Sequence, residues 1–452
     1  MLAYPELAAI RLGYGLSPLA PPPADPVALV RSIRDAGPDD QAFSMARDHL
    51  PFRSRFAELN AKEADRNEAA IDALRDRVRD TGIRVAQIRM ARAVGDPGGF
   101  GERLVQFWAD HFTVTNANLF DTLASAAFVD EAIRPHLTGR YATMMLAAET
   151  HPRMIMYLDQ MNSIGPNSVA GRRPGKRLGI NENLAREMIE LHSLGAGSGY
   201  AQRDVRQLAL LLTGLTVRPN HDATAFFNKN WAEPGPFEVL GKTYVRGRGK
   251  GVVGEVIDDL ARHDATARHI ARKLAAHFIS DDPPEALVQR LTQAFRDTDG
   301  DLPTLYLILA EAPELRDCFR QKVRQPFDFV VAALRGCGFT RQEVMALEQR
   351  VFHNLVMGGM FAMGQQWGLP RGPDGWPEDA SAWATAQGLA GRIDWAMRML
   401  PKLRPDLPDP RAFMQAALGE SASDDLRWAV PKAESPAEGM AVILGSPDFN
   451  RR

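Results

Sequence analysis

The chain has 452 residues, of which 45% are hydrophobic and 24% charged, with a formal net charge of −2. That is ordinary globular composition, sufficient for one large core or for two to three domains. At a pI of about 6.6 no global field recruits nucleic acid or an acidic membrane surface.

Residues 1–7 carry neither a basic stretch nor a long apolar one, so no signal peptide is read. The expected compartment is the cytoplasm, or the envelope if a leader has been removed. No run approaches the roughly eighteen apolar residues of a membrane span. A short helix is predicted over 5–13, ending at Gly13-Tyr14-Gly15. That Gly-x-Gly follows no strand and carries no nucleotide signal. A Pro-rich link from Pro18 to Pro26 leads into a helix at about 26–35. Residues 54–94 are the most polar stretch, with Ile71, Leu74, Val78, Ile83 and Val85 as its apolar stripe. This predicts a long helix or helical hairpin across the surface, interrupted near Thr81-Gly82.

Asp96-Pro97-Gly98-Gly99 closes that segment, and an aromatic helix follows over 100–114. His111 shares a face with Phe107 and Trp108, which reads as a buried histidine before it reads as a ligand. Helices are predicted at 121–134 and 139–149, and another starts at His151-Pro152, with Met154 and Met156 as core filler. The loop 161–180 contains a basic run at 171–177. It lacks the spacing, the Ser or Thr and the preceding strand of a phosphate loop, though its cations could hold an anion before a helix start.

The next segment, 179–195, reads as one short helix with Asn181 as N-cap and Gly195 as terminator. At about 100° per residue, Glu187 and Glu190 lie about 60° apart, with Glu182 and Arg186 on the same side. Leu184, Met188 and Leu191 take the opposite side. The same wheel puts His192 on the apolar side, as a satisfied core histidine. A short Gly-rich turn leads to a helix whose body, 208–215, is almost wholly apolar and therefore buried. The acid face beside it is accordingly expected to lie deep, where carboxylates must be paired, metal-bound or protonated.

Residues 223–250 break the helical rhythm and predict a small β-hairpin. Helical patterning resumes from 252 to 444. Within 265–279, His269, Lys273 and His277 give one helix a polar face. Three prolines and two tryptophans in 364–379 predict a packed, ordered lid. Cys318 and Cys337 read as reduced core thiols. The expected fold is all-α, a multi-helix globular bundle with one hairpin excursion near 223–250. It forms a single large helical domain over 1–452, which could subdivide into halves 1–220 and 251–452.

Several blocks run along the chain in this order: Arg11-Leu12-Gly13-Tyr14-Gly15, Phe107-Trp108 with His111-Phe112 and Val114, and Tyr157-Leu158-Asp159 with Asn162-Ser163. After them come Asn181-Glu182-Asn183, Ala185-Arg186-Glu187, Glu190-Leu191-His192 and Leu194-Gly195, then Gly199-Tyr200, Asp204-Val205, Leu240-Gly241 and Gly364-Gln365. Together these resemble a large bacterial family known as domain of unknown function 1800, or DUF1800. The resemblance covers nearly the whole chain and brings no biochemical activity. It implies a protein partner from a neighbouring family of exported, sulfatase-like proteins, and work at the cell envelope. The family's hairpin usually carries a His ahead of Leu-Gly, where this chain has Ala232.

Two functional readings stay open. In the first, Glu187 and Glu190 are catalytic carboxylates that divide acid and base roles, with Arg186 holding an anionic substrate. With His111 or His151 the same pair could bind a divalent metal, although the Glu-x-x-His spacing of di-iron bundles is absent. In the second, Glu182, Asn183, Arg186, Glu187, Glu190 and Asp204 form a buried polar network in a non-catalytic binding or assembly protein.

Overall fold

A computed structural model describes residues 2–60, 67–173, 179–218, 223–245 and 251–452. Helix starts carry their own signals. Asp25 caps Pro26–Ser32 through the Ala28 N–H, Asp301 caps Leu302–Glu311 through Thr304, and Ser435 caps Pro436–Gly445 through Glu438. Each has proline in the first turn, where the missing N–H costs nothing. The result is a mainly helical molecule with, among the described residues, two small two-stranded sheets. No described helix is long and apolar enough to cross a membrane.

The long helix runs unbroken over Glu68–Gly95, capped by the Asn67 side chain on the Ala70 N–H. The interruption expected at Thr81-Gly82 does not occur. A single glycine costs a helix about 1 kcal/mol, less than the flanking turns supply. Gly82 instead lets Thr122 approach, with a methyl 3.4 Å from where a Cβ would stand. Nor does the helix stay on the surface. Its second half, from Val85 to Val94, is mostly buried.

One hairpin was expected near 223–250, and two appear. Leu215–Val217 (β1) pairs antiparallel with Ala225–Phe227 (β2), and Phe237–Val239 (β3) with Lys242–Tyr244 (β4). The apolar helix stops at Leu212 because Gly214 turns the chain at φ +91°. Leu240 and Gly241, both at positive φ, form the tight β3–β4 turn.

Two large apolar clusters organise the interior. One joins Leu7, the aromatic helix Phe100–His111, the apolar helix Gln202–Leu212 and segments as far as Cys318. The other joins Tyr14 and the buried half of the long helix to residues from Phe327 to Phe449. Fully buried arginines tie the segments together through backbone carbonyls. Arg103 donates to Arg11 O at 2.9 Å, Arg335 to Val94 O at 3.0 Å and Arg324 to Phe449 O at 2.9 Å.

Candidate functional site

The acid helix spans Asn183–Glu190, shorter than its sequence suggested. Asn181 acts one residue early, accepting the Asn183 N–H at 2.8 Å. Leu184, Ala185, Met188 and Ile189 are buried. The polar side is half-buried: the Arg186 side chain is 38% exposed and Glu190 23%. Glu190 accepts from Arg186 at 3.0 Å and bonds Tyr200, while Glu182 accepts from Gln202 at 2.7 Å. The expectation of a buried acid cluster is therefore corrected. So short a helix turns only its apolar stripe inward, and its charges reach water at the rim. Asn183 is exposed. Asp204 stands apart, accepting the Ala201 N–H at 2.8 Å and the Leu240 N–H at 3.0 Å. It thus caps the apolar helix and holds the β3–β4 turn. Glu187 differs from its neighbours. Burial pushes its carboxyl up, against the pull of His192 and with the push of Glu190 and Glu149.

His192 is buried, as expected, but not as an inert ring. Its N–H bonds Glu187 O, a wide turn that ends the regular wheel at Glu190. Its Nδ1 lies 2.7 Å from Oε1 of Glu149, a completely buried carboxyl. The other Glu149 oxygen has no partner among the described residues. His111 lies beside this pair, with ring centroids 5.8 Å apart. The Tyr141 hydroxyl donates to the His192 carbonyl and so accepts from His111 Nε2, 2.9 Å away. His111 Nε2 is thus occupied and protonated, and Nδ1 is left unpartnered. His151 is also engaged at both nitrogens, by Glu131 at 2.9 Å and by the Arg153 N–H at 3.1 Å. Among the described residues no group of three or more His, Cys, Asp or Glu is placed to hold a metal ion. Glu187, Glu190 and His111 do not form one. Ala232, where the family's histidine would fall, packs beneath the turn at Gly214. Residues 174–177 of the basic loop lie outside the described residues.

The polar face of the helix Asp264–Phe278 meets this cluster. His269 Nε2 donates to Leu191 O at 3.1 Å, and burial together with Lys273 lowers its pKa to about 4. His277 bridges Arg103, 2.9 Å away, and Glu378, 2.5 Å away. Lys322 completes Glu378 at 3.0 Å. Lys273, between the two histidines, has no ion pair or hydrogen bond among the described residues. Burial lowers its pKa, opposed by the fields of Asp110, Glu378 and Asp374. Asp110 is the matching anomaly. Burial, with a further push from Glu378, raises its carboxyl to about 8 despite hydrogen bonding from the Trp376 N–H. That N–H reaches both carboxyl oxygens, at 3.0 and 3.1 Å. The approach needs Gly375, because a Cβ there would stand 2.6 Å from Asp110 Oδ2.

Asp110 also lines a cavity of about 120 Å³. Its walls come from the long helix, the aromatic helix, the helix Asp121–Phe128 and the loop 364–376. Phe128, Phe327, Trp367 and Trp376 give it an aromatic lining, and Arg89 and Gln106 enter with polar ends. The loop is a fixed wall: Gly368 O accepts the Asn116 N–H at 3.1 Å, and Gln365 accepts the Phe327 N–H at 2.7 Å. This agrees with the packed, ordered loop expected from its Trp and Pro content. Sequence reasoning passed over Asp110, Arg89, Glu149 and Glu378. Asp110 did carry a signal, as an acid flanked by Ala109 and His111 near the end of an aromatic helix.

Compared with known proteins, residues 8–451 match the model of a family described as "Protein of unknown function (DUF1800)". No curated protein and no solved structure matches the chain.

Proposed function

This chain belongs to the DUF1800 family, whose description assigns no activity, and from its site we propose that it binds a small organic ligand in the aromatic-lined cavity and exchanges a proton with it through Asp110. The observation that carries the reading is one carboxyl, Asp110, that lines the cavity and lies in the field of Lys273, a half-buried lysine with no ion pair among the described residues. A cavity with few convergent polar groups and displaced proton affinities is where ligand chemistry is expected. With a pKa of about 8, Asp110 holds a proton near neutrality and can donate it. Lys273, whose pKa burial lowers, lies within the field of Asp110 and can stabilise the charge that results. Glu149 and His192 lie beside the aromatic helix and orient it through Tyr141 and His111.

Ligand-detected NMR with a library of small aromatic and aliphatic compounds tests this. Hits on the wild type should vanish in Ala109→Phe, which fills the cavity from its lining. An absence of hits, or hits that survive the filling, sinks the proposal.

One observation favours a second reading, a helical assembly protein with a partner. Phe361, Ile393 and Met397 are 63, 46 and 41% exposed, unusual for large apolar side chains on neighbouring helices. On that reading Ile393→Asp should abolish co-elution with an exported, sulfatase-like protein, and unchanged elution would contradict it.

A further inference from the structure

We propose that the cavity selects a small monocarboxylate with a flat aromatic or branched apolar body, its carboxylate held by Arg89. This rests on the cavity being the ligand site and adds the class of ligand.

Of the two described arginines that line the cavity, Arg89 is the one with no ion pair among the described residues. Arg92, almost one turn further on, is paired with Asp39 and lies 3.0 Å from Asp130. Arg134 is bound to Glu102 at 2.6 Å and to Asp130 at 2.8 Å. Arg89 donates to Gln106 Oε1 at 2.6 Å, and no carboxylate among the described residues lies within ion-pair distance of it. Its guanidinium carbon stands 6.0 Å from the centre of the Trp367 ring, which also lines the cavity. Burial and the nearby Arg134 already lower its pKa to about 10, so an anion arriving there relieves a real deficit.

A guanidinium with one of five N–H donors engaged offers a planar fork, which matches the two oxygens of a carboxylate. One unpaired guanidinium, beside an Arg92 already neutralised by Asp39 and Asp130, does not compensate a phosphate dianion. Size narrows the body. At about 120 Å³ the space is close to cavities of about 150 Å³ that accept benzene. The aromatic walls favour a flat or branched apolar group over a polar one. Asp110 does not oppose the anion, because it is protonated near neutral pH and can donate to a second polar atom of the ligand.

Calorimetric titration of the full chain at pH 7 with benzoate, and with benzyl alcohol as its uncharged counterpart, tests the assignment. Benzoate should bind the wild type and weaken about tenfold or more in Arg89→Met. Benzyl alcohol should bind both alike. Gln106→Glu guards against misfolding of the first variant: it places a carboxylate against Arg89, and it should remove benzoate binding while keeping the alcohol. No benzoate binding to the wild type, or equal binding in all three proteins, overturns the proposal. Alcohol binding without benzoate binding leaves the cavity as a ligand site and removes the carboxylate class. Arg89-dependent benzoate binding that does not vary from pH 6 to 9 keeps the class and removes the proton-exchange role of Asp110.

Discussion

Two carboxyls at the residue scale show how burial, more than sequence pattern, decides chemistry. Glu190 stands out on a helical wheel, yet its ion pair with Arg186 is wet and worth a few tenths of a kcal/mol. Glu149 draws no attention in the sequence, yet it is fully buried against His192. Glu190→Gln should therefore change stability by no more than about 0.5 kcal/mol. Glu149→Ala, which strips His192 of its partner and leaves a void, should cost about 2–5 kcal/mol. Urea unfolding of both variants checks the contrast, and equal losses would contradict it. Asp110 adds a pH signature. Its carboxyl ionises near 3.9 in an unfolded chain but at about 8 in the fold. The native state thus keeps a proton that the unfolded state has lost, and this group's contribution to stability falls as pH rises from about 4 to about 8. Asp110→Asn escapes that loss. Its melting temperature relative to wild type should rise steadily across the same range, whereas a constant difference would argue against a raised pKa.

Among the elements, the acid helix was legible in outline and misleading in depth. Gly195 does not end it, since the helix stops at Glu190, but its capping Asn181 could be read directly, because local backbone chemistry sets it. The burial of its acid face could not, because that depends on which neighbours cover the helix. His192 was placed correctly as buried, but for a reason the wheel does not contain: the helix ends two residues earlier. The polar face of Asp264–Phe278 was visible in its spacing, while its partner Asp110 comes from a helix far away in sequence. Thr81-Gly82 fails as a break because tertiary packing overrides a local breaker, whereas the added hairpin begins at a local turn, Gly214 at φ +91°. Gly195 makes a sharp test. It sits at φ +89°, and a Cβ would stand 2.8 Å from His269 Nδ1, whereas Gly197 at φ +77° has open space. Gly197→Ala should cost about 1–2 kcal/mol from backbone conformation alone. Gly195→Ala should cost clearly more in thermal unfolding, and equal costs would mean that His269 does not need that approach.

Across the whole molecule, buried guanidinium groups outnumber the acids beside them near Asp328. Burial pushes the Asp328 carboxyl up, but Arg452, Arg103, His277 and Arg324 pull it below the usual range. It lies 2.5 Å from Arg452, and both side chains are almost fully buried. Asp328→Asn should cost about 3–5 kcal/mol, because it leaves that arginine buried without its counter-charge. A loss below about 1 kcal/mol would mean that water or another acid reaches the cluster. The overall mainly helical class was legible from periodicity, but this joining of distant segments was not. The same cross-chain packing brings Asp110, Lys273 and Trp376 together and gives the cavity its titrating wall. The most direct measurement is the carboxyl ¹³C NMR titration of Asp-labelled protein, compared with Asp110→Asn. One aspartate should titrate at about 8 in the wild type and be missing from the variant. If every aspartate titrates in the ordinary acidic range, the cavity has no proton to exchange near neutrality and the functional reading falls.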